Sequence, residues 1–145
     1  MIKKFLVLFI LVWLQTNAQK AAIDSLFRVQ DYLLEVKSSV NSNESPKKKL
    51  EKLNRLIQSA STQKDIFSRN ITKISGNTEE TTQLKSSLNF ILQSLVLYTT
   101  DLKRNNMKSA ENELKYMNKN ISHLVYKIDF HCKMAKIKTE ENTHK

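Results

Sequence analysis

The sequence predicts an all-α protein, folded as an up-down-up-down antiparallel four-helix bundle. Three observations predict it. The 145 residues include one glycine and one proline, the two residues that most often interrupt a helix. Beyond the first 18 residues, apolar side chains recur at alternating spacings of four and three, one stripe along each of four segments. The breaks between segments are short, and short connections favour antiparallel neighbours.

Residues 1–18 stand outside that pattern and read as a cleavable secretory signal. Lys3 and Lys4 form a positive start, Phe5 to Leu14 is an unbroken apolar run, and Gln15 to Ala18 is a polar exit with small residues at its end. A spanning helix needs roughly 20 apolar residues, and this run has about half that. Cleavage is expected between Ala18 and Gln19, with export to the periplasm or the extracellular space and no transmembrane segment in the mature chain. Helices are expected at about 20–41, 46–75, 78–104 and 107–138, with a frayed polar tail over 139–145.

In the first segment Ala22, Leu26, Val29, Leu33, Val36 and Val40 form the stripe. The turn Asn41 to Pro46 follows, with Ser45 as N-cap and Pro46 at the first helical position, where its missing N–H costs nothing. The second stripe is Leu50, Leu53, Ile57, Ala60, Phe67, Ile71 and Ile74, with Lys64 the one polar intruder. Gly76 can close that helix in the left-handed conformation. Asn77 is the expected cap of the third helix, with Glu80 reaching back to it.

The third stripe runs through Leu84, Leu88, Ile91, Leu95, Tyr98 and Leu102. Continuing its register past Leu102 lands mostly on polar residues, whereas an apolar stripe restarts at Met107. Arg104 to Asn106 is therefore read as a tight turn. The fourth stripe is Met107, Ala110, Leu114, Met117, Ile121, Leu124, Ile128, His131 and Ala135. Phe27, Leu34, Leu56, Leu92, Val96 and Val125 widen the stripes, which suits helices packed against two neighbours in a closed bundle.

Cleavage would remove Lys3 and Lys4, so 22 basic residues stay against 14 acidic ones, a formal charge of +8. Such a surplus favours anionic partners. The antiparallel topology gathers Lys47, Lys48, Lys49, Lys103, Arg104 and Lys108 at one end, a candidate anion-binding cap. Glu35, Glu44, Glu51, Asp101, Glu111 and Glu113 share that end and weaken the field. Export, and basic runs without interleaved aromatics, argue against nucleic acid.

Chemistry-bearing motifs are sparse. There is no Gly-rich phosphate loop, metalloprotease helix motif or nucleophile elbow, so no catalytic residue and no cofactor is expected. His131 falls on a core position, where a satisfied buried histidine is commoner than a metal ligand. Cys132, the sole cysteine, is read as a small hydrophobe on a helix rather than as a reactive or bridging thiol. The signal resembles those of Gram-negative envelope proteins. Lys20 to Phe27 (KAAIDSLF) resembles the opening of the OmpH-like periplasmic holdases, whose β-stranded body has no counterpart in the pattern here.

The expected function is that of an exported, non-enzymatic binding or adaptor protein of the cell envelope, an accessory of an envelope or secretion assembly with a protein partner. The alternative is a periplasmic holdase-like chaperone or a binder of anionic surfaces.

Overall fold

The computed structural model describes residues 2–143, with side-chain surroundings for Leu14 and for 16–141. These residues form four helices and no strand: α1 (Ile2–Val40), α2 (Pro46–Ser75), α3 (Glu79–Lys103) and α4 (Met107–Thr143). Each packs against its neighbours in chain order, and α4 closes the ring onto α1. In addition α2 approaches α4 across the diagonal. The antiparallel sense of α1 and α4 is visible in their links. Gln19 Nε2 donates to the Ala135 carbonyl at one end, and Asn41 and Asn118 exchange amide hydrogen bonds at the other.

The core follows the stripes. Leu26, Val29, Leu33 and Val36 of α1 are fully buried, as are Leu53, Phe67 and Ile71 of α2. Leu88, Ile91 and Leu95 of α3 meet Met117, Ile121, Leu124 and Ile128 of α4 in the same cluster. Three apolar positions depart from expectation. Leu34 is 46% exposed, Val96 44% and Met107 55%. A helix at the corner of a bundle buries only the arc facing its neighbours, so Leu34 and Val96 fall beyond it. Met107 opens α4 at the turn, where no helix covers it.

Helix ends are set by local chemistry. Ser45 is the N-cap of α2 and Pro46 its first residue, though the Ser45 hydroxyl makes no capping bond. Gly76 closes α2 at φ 77°, with its N–H bonded to the Thr72 carbonyl. The next cap differs from the expected Asn77–Glu80 pair. Thr78 is the cap, and Thr81 reciprocates: the Thr81 N–H donates to Thr78 Oγ1 at 3.1 Å, and the Thr78 N–H to Thr81 Oγ1 at 2.9 Å. The hydroxyl pair satisfies both donors one residue later, which leaves the Glu80 carboxylate free to turn toward α4. The third turn puts Asn105 at φ 57°, a left-handed conformation that asparagine tolerates better than most residues.

Two boundaries bear on function. α1 is one helix through Ala18 and Gln19; Leu14 is 52% exposed, and from residue 16 onward the first buried side chain is Ala22. α4 continues to Thr143, past the expected end at 138, because Thr139 is held by Gln19. Its hydroxyl lies 2.9 Å from Gln19 Oε1 and 3.0 Å from the Ala135 carbonyl. The expected fray over 139–143 is thus replaced by helix, while His144 and Lys145 lie outside the described residues. Among the described residues no helix is long and apolar enough to cross a membrane.

Candidate binding surfaces

The α1–α2 and α3–α4 turns share one end of the bundle, and the six basic residues singled out from the sequence sit around them. Lys47, Lys48, Lys103, Arg104 and Lys108 are exposed. Lys49 is not part of a free cationic surface. Its ammonium donates to the Val40 carbonyl at 3.0 Å and lies 3.5 Å from the Tyr98 hydroxyl, which itself donates to Val40 O at 3.1 Å. A cation on the last carbonyls of α1 meets the negative pole of that helix, so Lys49 acts as a cap supplied from α2. Partial burial pulls its pKa below the ordinary lysine value. Lys103 donates to Asn54 Oδ1 at 3.3 Å, and α2 and α4 both begin without an acidic residue in the first turn.

At the opposite end of α2 the structure assembles polar side chains from three helices. Ser75 Oγ lies 2.7 Å from His131 Nδ1. On the other edge of the ring, Nε2 lies 3.4 Å from Glu80 Oε1, within ion-pair range but without hydrogen-bond geometry. Lys127 holds Glu80 at 2.8 Å, and this hydrogen bond is the main cause of a Glu80 carboxyl held below its usual pKa. Serine, histidine and carboxylate are the residue types of an acyl-transfer triad, here brought together from three helices. Ser75 ends a helix, where carbonyls rather than N–H groups point outward. The nearby N–H groups of Gly76 and Thr78 are already bonded to Thr72 O and Thr81 Oγ1. The cluster ties the end of α2 and the start of α3 to α4.

His131 is buried, as its stripe position implies, and Cys132 beside it is fully buried. Burial pushes the thiol up to about 11. Among the described residues no group of three or more His, Cys, Asp and Glu side chains is placed to hold a metal ion.

The most distinctive surface belongs to α3, and sequence reasoning missed it. Phe90 is 54% exposed and Leu97 52%, with exposed Val96 beside them and Tyr116 of α4 across a groove. From Ser86 to Thr100 the helix carries no charged residue. Its outward side is therefore neutral over four turns, where a surface helix normally turns charged residues to water. A groove of about 530 Å³ lies between α2 and α3, floored by Ile57, Leu92 and Val96 and edged by Lys64. A second, of about 350 Å³, lies between α3 and α4, with Phe90 and Leu97 on one wall and Glu113 and Tyr116 on the other. The legible signal was a second four-three series on α3, namely Ser86, Phe90, Gln93, Leu97 and Thr100. By contrast, the apolar side chains exposed on α4 alternate with charge, as where Lys127 lies 6.0 Å from the Phe130 ring centroid. No protein family, curated protein or solved structure matches this chain.

Proposed function

We propose that the chain is an exported, non-enzymatic adaptor of the cell envelope, an accessory of an envelope or secretion assembly, which acts through protein contacts on the solvent face of α3. The observation that carries this reading is the neutral, partly apolar face from Ser86 to Thr100. Covering it removes exposed Phe90, Val96 and Leu97 from water without desolvating any charge on that helix. Export is supported by the order of Lys3, Lys4, the apolar run and Ala18.

The test is capture from native envelope by the processed protein and by its Leu97→Asp variant. Partners retained by the wild type and lost by the variant support the adaptor. Suppression of aggregation of unfolded clients, with no stable partner, would favour a holdase instead. Binding of anionic surfaces remains the second reading, motivated by exposed Lys47, Lys48 and Lys108 at two helix starts that lack acidic residues and by exposed Lys103 and Arg104 at the end of α3.

A further inference from the structure

We infer that the groove between α2 and α3 binds a single-chain fatty carboxylate, its head at Lys64 and its tail running toward Ile57. The inference does not rest on the adaptor reading. It concerns the α2 side of α3, whereas Phe90 and Tyr116 line the groove on the α4 side.

Polarity changes along this groove. α2 and α3 are antiparallel neighbours: the turn between Ser75 and Glu79 closes one end, and Lys103 donates to Asn54 Oδ1 near the other. On that register Lys64 stands level with Gln93, and Ala60 with Leu97. The lining therefore divides. Lys64, Asn89 and Gln93 share one end, and Ile57, Ala60, Val96 and Leu97 share the other. Buried Leu92 floors the groove, and Ser61 is the one polar side chain toward the apolar end.

Charge complementarity sets the sign of the head. Lys64 takes a position in the α2 stripe whose other members are all apolar, yet it is exposed and has no ion pair among the described residues. The helix it faces carries no charged residue from Ser86 to Thr100, so α3 offers it no carboxylate. Asp65, its neighbour in the chain, does not line the groove. A carboxylate head supplies the missing anion, and it can also accept from the side-chain amides of Asn89 and Gln93. An acyl tail laid over the apolar end takes half-exposed Val96 and Leu97 out of water.

Size sets the number of tails. The rise from Ile57 to Lys64 is about 10 Å, the reach of one medium-length acyl chain. The groove's volume of about 530 Å³ falls among those of small-molecule sites. A two-tailed lipid would leave its second chain in water.

Isothermal titration calorimetry of the exported protein with decanoate, held below its micelle-forming concentration, tests this. The expected result is saturable one-to-one binding. Octanoate should bind about three- to tenfold more weakly, since two methylenes leave the groove. Decyltrimethylammonium, with the same tail and the opposite charge, should bind at least about tenfold more weakly than decanoate. Lys64→Glu should weaken decanoate about tenfold or more, Lys64→Arg should retain it, and the same charge reversal at exposed Lys115 of α4 should leave it unchanged. Val96→Asp should weaken it about tenfold or more by putting a charge against the tail. Val96 is half-exposed, so that variant should keep its fold, which far-UV circular dichroism checks. Absence of saturable binding overturns the inference, as does binding indifferent to Lys64→Glu or to Val96→Asp. Decyltrimethylammonium that binds as tightly as decanoate overturns it too. In each of those cases Leu97-dependent capture of an envelope protein would leave the adaptor reading standing.

Discussion

Cys132 shows how burial decides reactivity at a single residue. The nucleophile is the thiolate, and a thiol pushed up to about 11 by burial holds almost none at neutral pH. An aromatic disulfide reagent at pH 8 should leave the native protein unlabelled and label one thiol per chain once it is denatured. Rapid labelling of folded protein would show that the helix carrying Cys132 opens readily. Tyr32 illustrates the same physics with a hydroxyl. Its O–H donates to the Leu56 carbonyl at 2.9 Å, and burial raises its pKa to about 12, while burial also raises that of Tyr98. A folded pKa above the unfolded value of 10 contributes stability that is complete below pH 10 and is lost as pH rises toward 12. The only tryptophan lies in the expected signal, so absorbance at 295 nm reports the phenols of the processed chain. Tyr32 should ionise last, near pH 12, and coincide with unfolding. A Tyr32→Phe variant should lose that step and about 0.5–1.5 kcal/mol of stability.

At the scale of the helix, the four-three stripes carry the fold. Leu33 and Leu95 are fully buried at stripe centres of α1 and α3. Replacing either by alanine should cost about 2–5 kcal/mol in denaturant unfolding, the transfer loss plus the cavity left behind. A loss below about half a kcal/mol at both would mean that the stripes do not share a core. Thr78→Ala should cost about 0.5–2 kcal/mol, because it removes one half of the reciprocal cap on α3. Asn77→Ala should be nearly silent, which separates the observed cap from the one expected in the sequence. Periodicity made helix type and partner order legible, because a stripe is a property of spacing. Caps were less legible: Asn77 and Thr78 are both good cappers, and only the position of Thr81 decides between them. The α3 face was overlooked for a different reason. Leu92 and Val96 both look like widened core positions, yet packing covers Leu92 and leaves Val96 outside. Which flank of a stripe is buried depends on the side where the neighbouring helix stands, and spacing within one helix does not contain that.

For the whole molecule the open question is what a formal surplus of positive charge does at the end where two turns meet. Cations near the starts of α2 and α4 oppose the positive pole of each helix, so Lys47, Lys48 and Lys108 do little for the fold. Lys103 and Arg104 lie exposed at the end of α3. Replacing these five by glutamine should leave the melting temperature nearly unchanged, since exposed charges contribute little. Lys49→Gln should lower it, because that ammonium bridges α2 to the last carbonyl of α1. The two variants therefore divide a set that looked uniform in sequence into a surface group and a structural one. Flotation with vesicles rich in anionic lipid tests the surface group. Binding by the wild type should fall steeply as salt rises, because attraction between exposed charges is screened beyond about 8–10 Å at physiological ionic strength. The five-residue variant should bind weakly even at low salt, whereas Lys49→Gln should bind normally at temperatures where it stays folded. Wild-type protein that ignores such vesicles at low salt would show that Glu44, Glu51, Asp101, Glu111 and Glu113 cancel the field at that end. Contacts on α3 would then be the means by which the bundle acts.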